Sequence, residues 1–234
     1  VEDVVRLLPE FSGTLPASVV ALLALVLVIY RASWTVLRNV VTIAHEGGHA
    51  VVALLSGRRL NGIRLHSDTS GLTVSTGPAH GPGMVLTLFA GYPAVSLLGL
   101  VAAWLVSADR VSLLLRAAVV ALALLLVALR NLYGVLSVLL TGTALFAVSW
   151  WATPGVQLLF AQLLGWFLLL GGIRPLFELS GKRRRGGASN SDADQLARLT
   201  AAPAMLWLSL WLLIALGALV LGANWLLADL IPFW

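Results

Sequence analysis

The chain has no cysteine, which excludes disulfides and thiolate metal sites. It has little charge: Asp, Glu, Lys and Arg supply 11% of 234 residues, against about 25% in soluble globular domains. Lysine is nearly absent, with Lys182 the single instance, and there are four His. So little polar surface excludes an ordinary water-soluble fold. What is there instead is apolar: 59% hydrophobic residues and a mean hydropathy of +0.96. The formal charge of +5 fits loops on the inner side of a membrane, and no nucleic-acid partner is expected. Glu2, Asp3, Arg6 and Glu10 do not fit a signal peptide.

A membrane crossing needs about 20 apolar residues. Seven stretches qualify as hydrophobic helices: about 16–31, 35–55, 83–106, 111–129, 132–149, 155–173 and 203–223. The expected fold is an all-α polytopic membrane protein of about six to seven transmembrane helices, forming one membrane-embedded domain over 1–234. Two segments break the pattern. Residues 58–77 place Leu60, Ile63, Leu65, Leu72 and Val74 around the turn-forming run Ser67-Asp68-Thr69-Ser70-Gly71, which predicts a small β-hairpin after the second helix. Residues 178–191 read as a basic, flexible Gly/Ser-rich loop, and its "KRRR" at 182–185 suits anionic lipid or plain topology determination.

With seven crossings, Arg6, Arg58, Arg59, Arg64, Arg130, Arg174, Lys182, Arg183, Arg184 and Arg185 share one side. Arg31, Arg38, Arg110 and Arg116 share the other. The positive-inside rule makes the first side cytoplasmic, with the N-terminus, hairpin and basic loop inside and the C-terminus outside. Most tryptophans, among them Trp104, Trp150, Trp151, Trp166, Trp207, Trp211, Trp225 and Trp234, fall near helix ends as an aromatic belt would.

Against this background "HEGGH", His45-Glu46-Gly47-Gly48-His49, stands out. Residues four apart share a helix face, so both imidazoles address one point. An ionised group left unpaired in the bilayer costs at least ~2.5 kcal/mol, so intramembrane ionisables read as functional. An i,i+4 His pair offers two corners of a tetrahedral zinc site. Glu46 lies close enough to take a proton from zinc-activated water and return it to a leaving amine. Gly47 and Gly48 cost about 1 kcal/mol each against Ala. They admit a close backbone approach, by substrate or by a neighbouring helix. A third ligand must come from elsewhere. Asp192 is the first choice and Asp194 the alternate, both beside Ser191 at the start of a helix entering the last span. Asp68, Glu178, His66 and His80 are rivals on the same side.

The stretch "AHEGGHAVVALLSGRRLNGIRLHSDTSGLTVSTG" resembles the M50 family of intramembrane metalloproteases, the site-2 proteases, and in particular its compact M50B-like bacterial branch. A weaker likeness extends to "SDADQLARLT" before the last span. The resemblance implies zinc, His45 and His49 as ligands, Glu46 as base and an Asp ligand from a late helix. The family's usual Asp-Gly pair is missing here, and no inserted PDZ-like domain is visible. The implied setting is a bacterial cytoplasmic membrane.

Helical substrates hide their carbonyls in their own hydrogen bonds. The hairpin could hold an unwound substrate on a free strand edge, or serve only as a structural plug. Asn131 could donate to an oxyanion or simply cap a helix. The leading function is a zinc endopeptidase that cleaves membrane-anchored proteins near the cytoplasmic face. A metal-holding scaffold that binds membrane partners without cutting them is the alternative. A transporter ranks last, because further ionisable groups are scarce in the spans.

Overall fold

The computed structural model describes residues 15–187 and 190–228. Helices form where the apolar runs lie: α1 (Ala17–Ile29), α2 (Arg31–Leu55), α3 (Pro82–Ser107), α4 (Val111–Ala128), α5 (Leu132–Trp151), α6 (Pro154–Gly171), α7 (Arg174–Arg184), α8 (Asp192–Thr200) and α9 (Ala204–Leu226). The expected hairpin follows the second helix as β1 (Arg59–Leu65) and β2 (Gly71–Thr76), antiparallel, with Ile63 opposite Thr73 and Leu65 opposite Gly71. Its turn is held by Asp68, whose carboxylate accepts from the Ser70 amide and hydroxyl. Those two hydrogen bonds hold the Asp68 carboxyl below its ordinary range.

Five helical units are each long and apolar enough to cross a membrane: α3, α4, α5, the run Pro154–Arg184, and α9. The pair α1 and α2, bent by 97° at Tyr30, makes a sixth candidate if it is taken as one span. The protein is therefore a multi-pass membrane protein of five to six candidate spans.

The first two apolar stretches form one sharply bent pair that counts at most as one candidate span. α1 has only 13 residues, or about 20 Å of helix. Its beginning, Leu15 and Val20, packs with Val106 and Leu226, at the ends of α3 and α9 away from the hairpin. Its end, Val28, packs with Val95 and Phe167 halfway along α3 and α6. α1 thus runs from the end of the bundle opposite the hairpin to its middle, and α2 continues from there to the hairpin. This corrects the expectation that the chain enters its first helix on the hairpin's face. Arg6 lies outside the described residues.

The elbow is fastened from α7. The Arg174 guanidinium donates to the carbonyls of Val28 and Ile29, the open C-terminus of α1, where a cation also meets the helix dipole. Arg174 also pairs with Glu178 at 3.0 Å and lies over the Trp34 ring, 4.7 Å from its centroid. Trp34 Nε1 donates to Glu178 at 2.9 Å, and Arg38 approaches the same carboxylate at 3.4 Å. These partners remove Glu178 from the candidate metal ligands.

The expected flexible loop at 178–191 is corrected over 178–184, which are helical, while 188–189 lie outside the described residues. α7 continues through Arg184, because Lys182, Arg183 and Arg184 in its last turn suit the negative end of the helix. The chain breaks only at Gly186, in the left-handed region at φ +74°. Tryptophan divides similarly. Trp104, Trp150, Trp151 and Trp225 are exposed at helix ends opposite the hairpin, whereas Trp166 and Trp211 are buried core. Trp234 lies outside the described residues.

Candidate metal centre

α2 passes beneath the hairpin and against the first half of α3. Close packing there depends on small residues. A Cβ on Gly48 would overlap the Ala94 methyl, so Gly48 seats α2 on α3, while Gly47 faces open space. Near the start of α3, Thr87 is buried, and its carbonyl lies 2.6 Å from His49 Nδ1. A carbonyl only accepts, so Nδ1 carries the proton and Nε2 presents its lone pair. His45 Nε2 lies 3.0 Å from His49 Nε2. Gly91 makes room for this meeting, since a Cβ there would strike both rings.

The third donor arrives from α8. Ser191 caps that helix, with its hydroxyl accepting from the Asp194 amide and donating to the Asp194 carboxylate at 2.6 Å. Arg183 pairs with the other Asp194 oxygen. The Asp194 carboxylate is thereby committed to the Ser191 hydroxyl and Arg183. Asp192, one residue beyond the cap, turns inward. Its Oδ2 lies 3.2 Å from His45 Nε2 and 3.4 Å from His49 Nε2. Burial opposes ionisation of Asp192, and hydrogen bonds to His45 and His49 overcome it, holding the carboxyl well below the ordinary carboxylate range.

Among the described residues, His45, His49 and Asp192 are the group whose ligand atoms converge as a metal site requires. The spacing tests the fit. Tetrahedral zinc with ligands at about 2.0–2.2 Å places neighbouring ligand atoms about 3.3–3.6 Å apart. Of the observed separations of 3.0, 3.2 and 3.4 Å, the last lies in that range and the other two fall within about 0.3 Å below it. Two imidazole nitrogens and one carboxylate also form a donor set that zinc takes.

Glu46 is buried beside this cluster, and the hairpin fixes it. Thr73 Oγ1 on β2 donates to Glu46 Oε2 at 2.6 Å, and a Cβ on Gly71 would overlap the same carboxylate. A second tie runs from Thr42 Oγ1 to the Thr69 carbonyl at 2.9 Å. β2 therefore lies directly over the Glu46 side chain.

Asn131 goes elsewhere. Its amide nitrogen donates to the Leu65 carbonyl at 2.6 Å, and its amide oxygen accepts from the Leu65 N–H at 3.1 Å. Next to it, the Arg130 amide donates to the Ile63 carbonyl. The α4–α5 connection thus completes the outer edge of β1. Both ends of the Asn131 amide are occupied there, so the expected oxyanion-donor role is replaced by an edge-closing one. His66 belongs to the hairpin turn, with Nδ1 3.3 Å from the Ser70 hydroxyl, and His80 is exposed.

Sequence reasoning did not anticipate the ring stack behind the cluster. Tyr92 meets His45 edge-on, with centroids 4.6 Å apart, and stacks on Trp211 at 4.6 Å. Pro93 was the available signal. Lacking an N–H, it leaves the Phe89 carbonyl without its helical partner, and Trp211 Nε1 donates there at 3.1 Å. α9 is thus keyed to α3 at Phe89, three residues before Tyr92.

The family model Peptidase M50B-like matches residues 18–222. The chain belongs to the M50B-like peptidase family. M50 peptidases are zinc-dependent, and the His45, His49 and Asp192 cluster of this M50B-like chain is consistent with such a site. No curated protein and no solved structure matches the chain.

Proposed function

We propose that the chain is a zinc-dependent intramembrane endopeptidase that cleaves membrane-anchored proteins near the hairpin face. The supporting observation is the pairing of a three-donor cluster with a buried carboxylate held at its side. His45, His49 and Asp192 would hold the zinc ion. The ion would supply Lewis-acid activation of water and of the scissile carbonyl. Glu46 serves as the proton carrier: Thr73 anchors Oε2, which orients the carboxylate to accept a proton and pass it to the departing amine. Thr87 fixes the His49 tautomer, and Tyr92 limits the swing of His45.

Substrate engagement follows from the hairpin. Its β1 edge is closed by Arg130 and Asn131, while β2 carries exposed Leu72 and Val74. An unwound segment adding to β2 would lie over Glu46 and beside the open space at Gly47. The cationic residues of the hairpin face favour a cytoplasmic placement for it, in a bacterial inner membrane.

The test is Glu46→Gln in proteoliposomes with a single-span substrate. Cleavage should vanish while zinc stoichiometry stays at the wild-type level. Retained cleavage would remove Glu46 from the chemistry. Wild-type protein that carries no zinc would remove the metal reading.

A further inference from the structure

α1 ends at mid-depth and α2 leaves it at 97°. The hairpin-side half of the bundle next to α7 is therefore not covered by a helix in line with α1. A cavity of about 720 Å³ lies there, against the elbow and α7. That volume is within the range of pockets that hold small organic ligands.

The walls change character along its length. Leu25 and Ile29 from α1 and Leu170 from α6 make the deep part apolar, and exposed Phe177 extends it along α7. Lys182 and Arg185 line the end nearest the hairpin face, and Arg38 and Arg174 line the inner wall. Glu178 is the one acidic lining residue, and it is already paired with Arg38 and Arg174. Lys182 and Arg185 form no ion pair among the described residues. The cavity thus carries surplus positive charge at headgroup depth and hydrocarbon surface below it.

We infer that this notch is a binding site for one anionic phospholipid, its phosphate on Lys182 and Arg185 and an acyl chain along Ile29 and Phe177. Charge complementarity selects the anionic headgroup, as basic pockets between membrane helices do. The apolar wall selects a lipid over a soluble phosphate. The bound chain would fill the space that the half-length first helix leaves beside α7.

Native mass spectrometry of the purified full chain tests this, with phosphatidylglycerol and phosphatidylcholine as separate probes. Wild type should retain one phosphatidylglycerol at least about tenfold more tightly than phosphatidylcholine. The Lys182→Gln/Arg185→Gln variant should bind it about 25-fold more weakly, a factor of about five per charge. Arg110→Gln/Arg116→Gln, altered near the opposite face, should bind like wild type. Equal retention by the first variant, or equal loss in the second, would overturn the site. A photoreactive p-benzoylphenylalanine in place of Phe177, irradiated in native membranes, separates the remaining occupants. A lipid-sized mass increase supports the inference, and a protein adduct refutes it by assigning the notch to a polypeptide.

Discussion

Two aspartates two residues apart carry different tasks, and their partners decide which does what. Asp194 accepts from the Ser191 hydroxyl and pairs with Arg183, whereas Asp192 faces two imidazoles. Asp192→Ala should weaken zinc binding by about 100-fold or more, since it removes a ligand where lesser changes cost 10–100-fold. Asp194→Ala should leave zinc stoichiometry intact and cost about 1 kcal/mol of stability through the lost carboxylate bonds to the Ser191 hydroxyl and Arg183. Metal analysis with thermal denaturation checks both, and loss of zinc in the Asp194 variant alone would reverse the assignment. The residue scale was the most readable from sequence where spacing dictates geometry, as with His45 and His49 on one helix turn. Asp192 was harder, because an N-cap Ser and a neighbouring Asp look alike until the helix start is located. The missing Asp-Gly pair has a local explanation. Asp192 and Ala193 both lie inside α8, neither has positive φ, and Ala193 is fully buried, so nothing there requires glycine.

At the scale of elements, the hairpin is suspended between two attachments: Glu46 and Thr42 below β2, and the α4–α5 connection beside β1. Its alternating apolar residues and turn chemistry announced it. The closing of its β1 edge by Asn131 did not show in the sequence, because that contact joins residues 66 apart. Asn131→Ala leaves the Leu65 N–H and carbonyl without these partners, at about 1–3 kcal/mol for buried groups. Hydrogen exchange at Leu65 should therefore accelerate, with zinc content unchanged. Unaltered exchange combined with lost activity would return Asn131 to a chemical role. Glycine shows the same limit: "HEGGH" advertised close packing, but only the partner helix reveals that Gly48 packs while Gly47 does not.

The whole molecule differs from the sequence reading in one respect with wide effect, the elbow at Tyr30. Hydropathy found both arms but could not tell two crossings from one bent passage, because it measures apolarity and not direction. Removing that extra crossing places the start of α1 opposite the hairpin. It also sharpens the charge bias. Arg31 opens α2 at the elbow and Arg38 is tied to Glu178, so neither counts as a loop cation of the far side. Arg110 and Arg116 remain there. The cysteine-free chain allows a direct check with single introduced cysteines and an impermeant maleimide. Ser18→Cys and Ser107→Cys should label from the same side of sealed vesicles, and His80→Cys from the other. Joint labelling of Ser18→Cys with His80→Cys would mean that α1 and α2 do not make one passage.

On the proposed function, the depth of the imidazoles would set the fate of a cut chain. His49 meets Thr87, which follows the first residue of α3, Pro82, by about five positions, or roughly 8 Å of helix. A chain severed at that level would keep most of its greasy length in the fragment on the far side, and that piece would stay put. The shorter stub would hold little more than one turn's worth of apolar anchor, too little to resist water, and would leave the bilayer unaided.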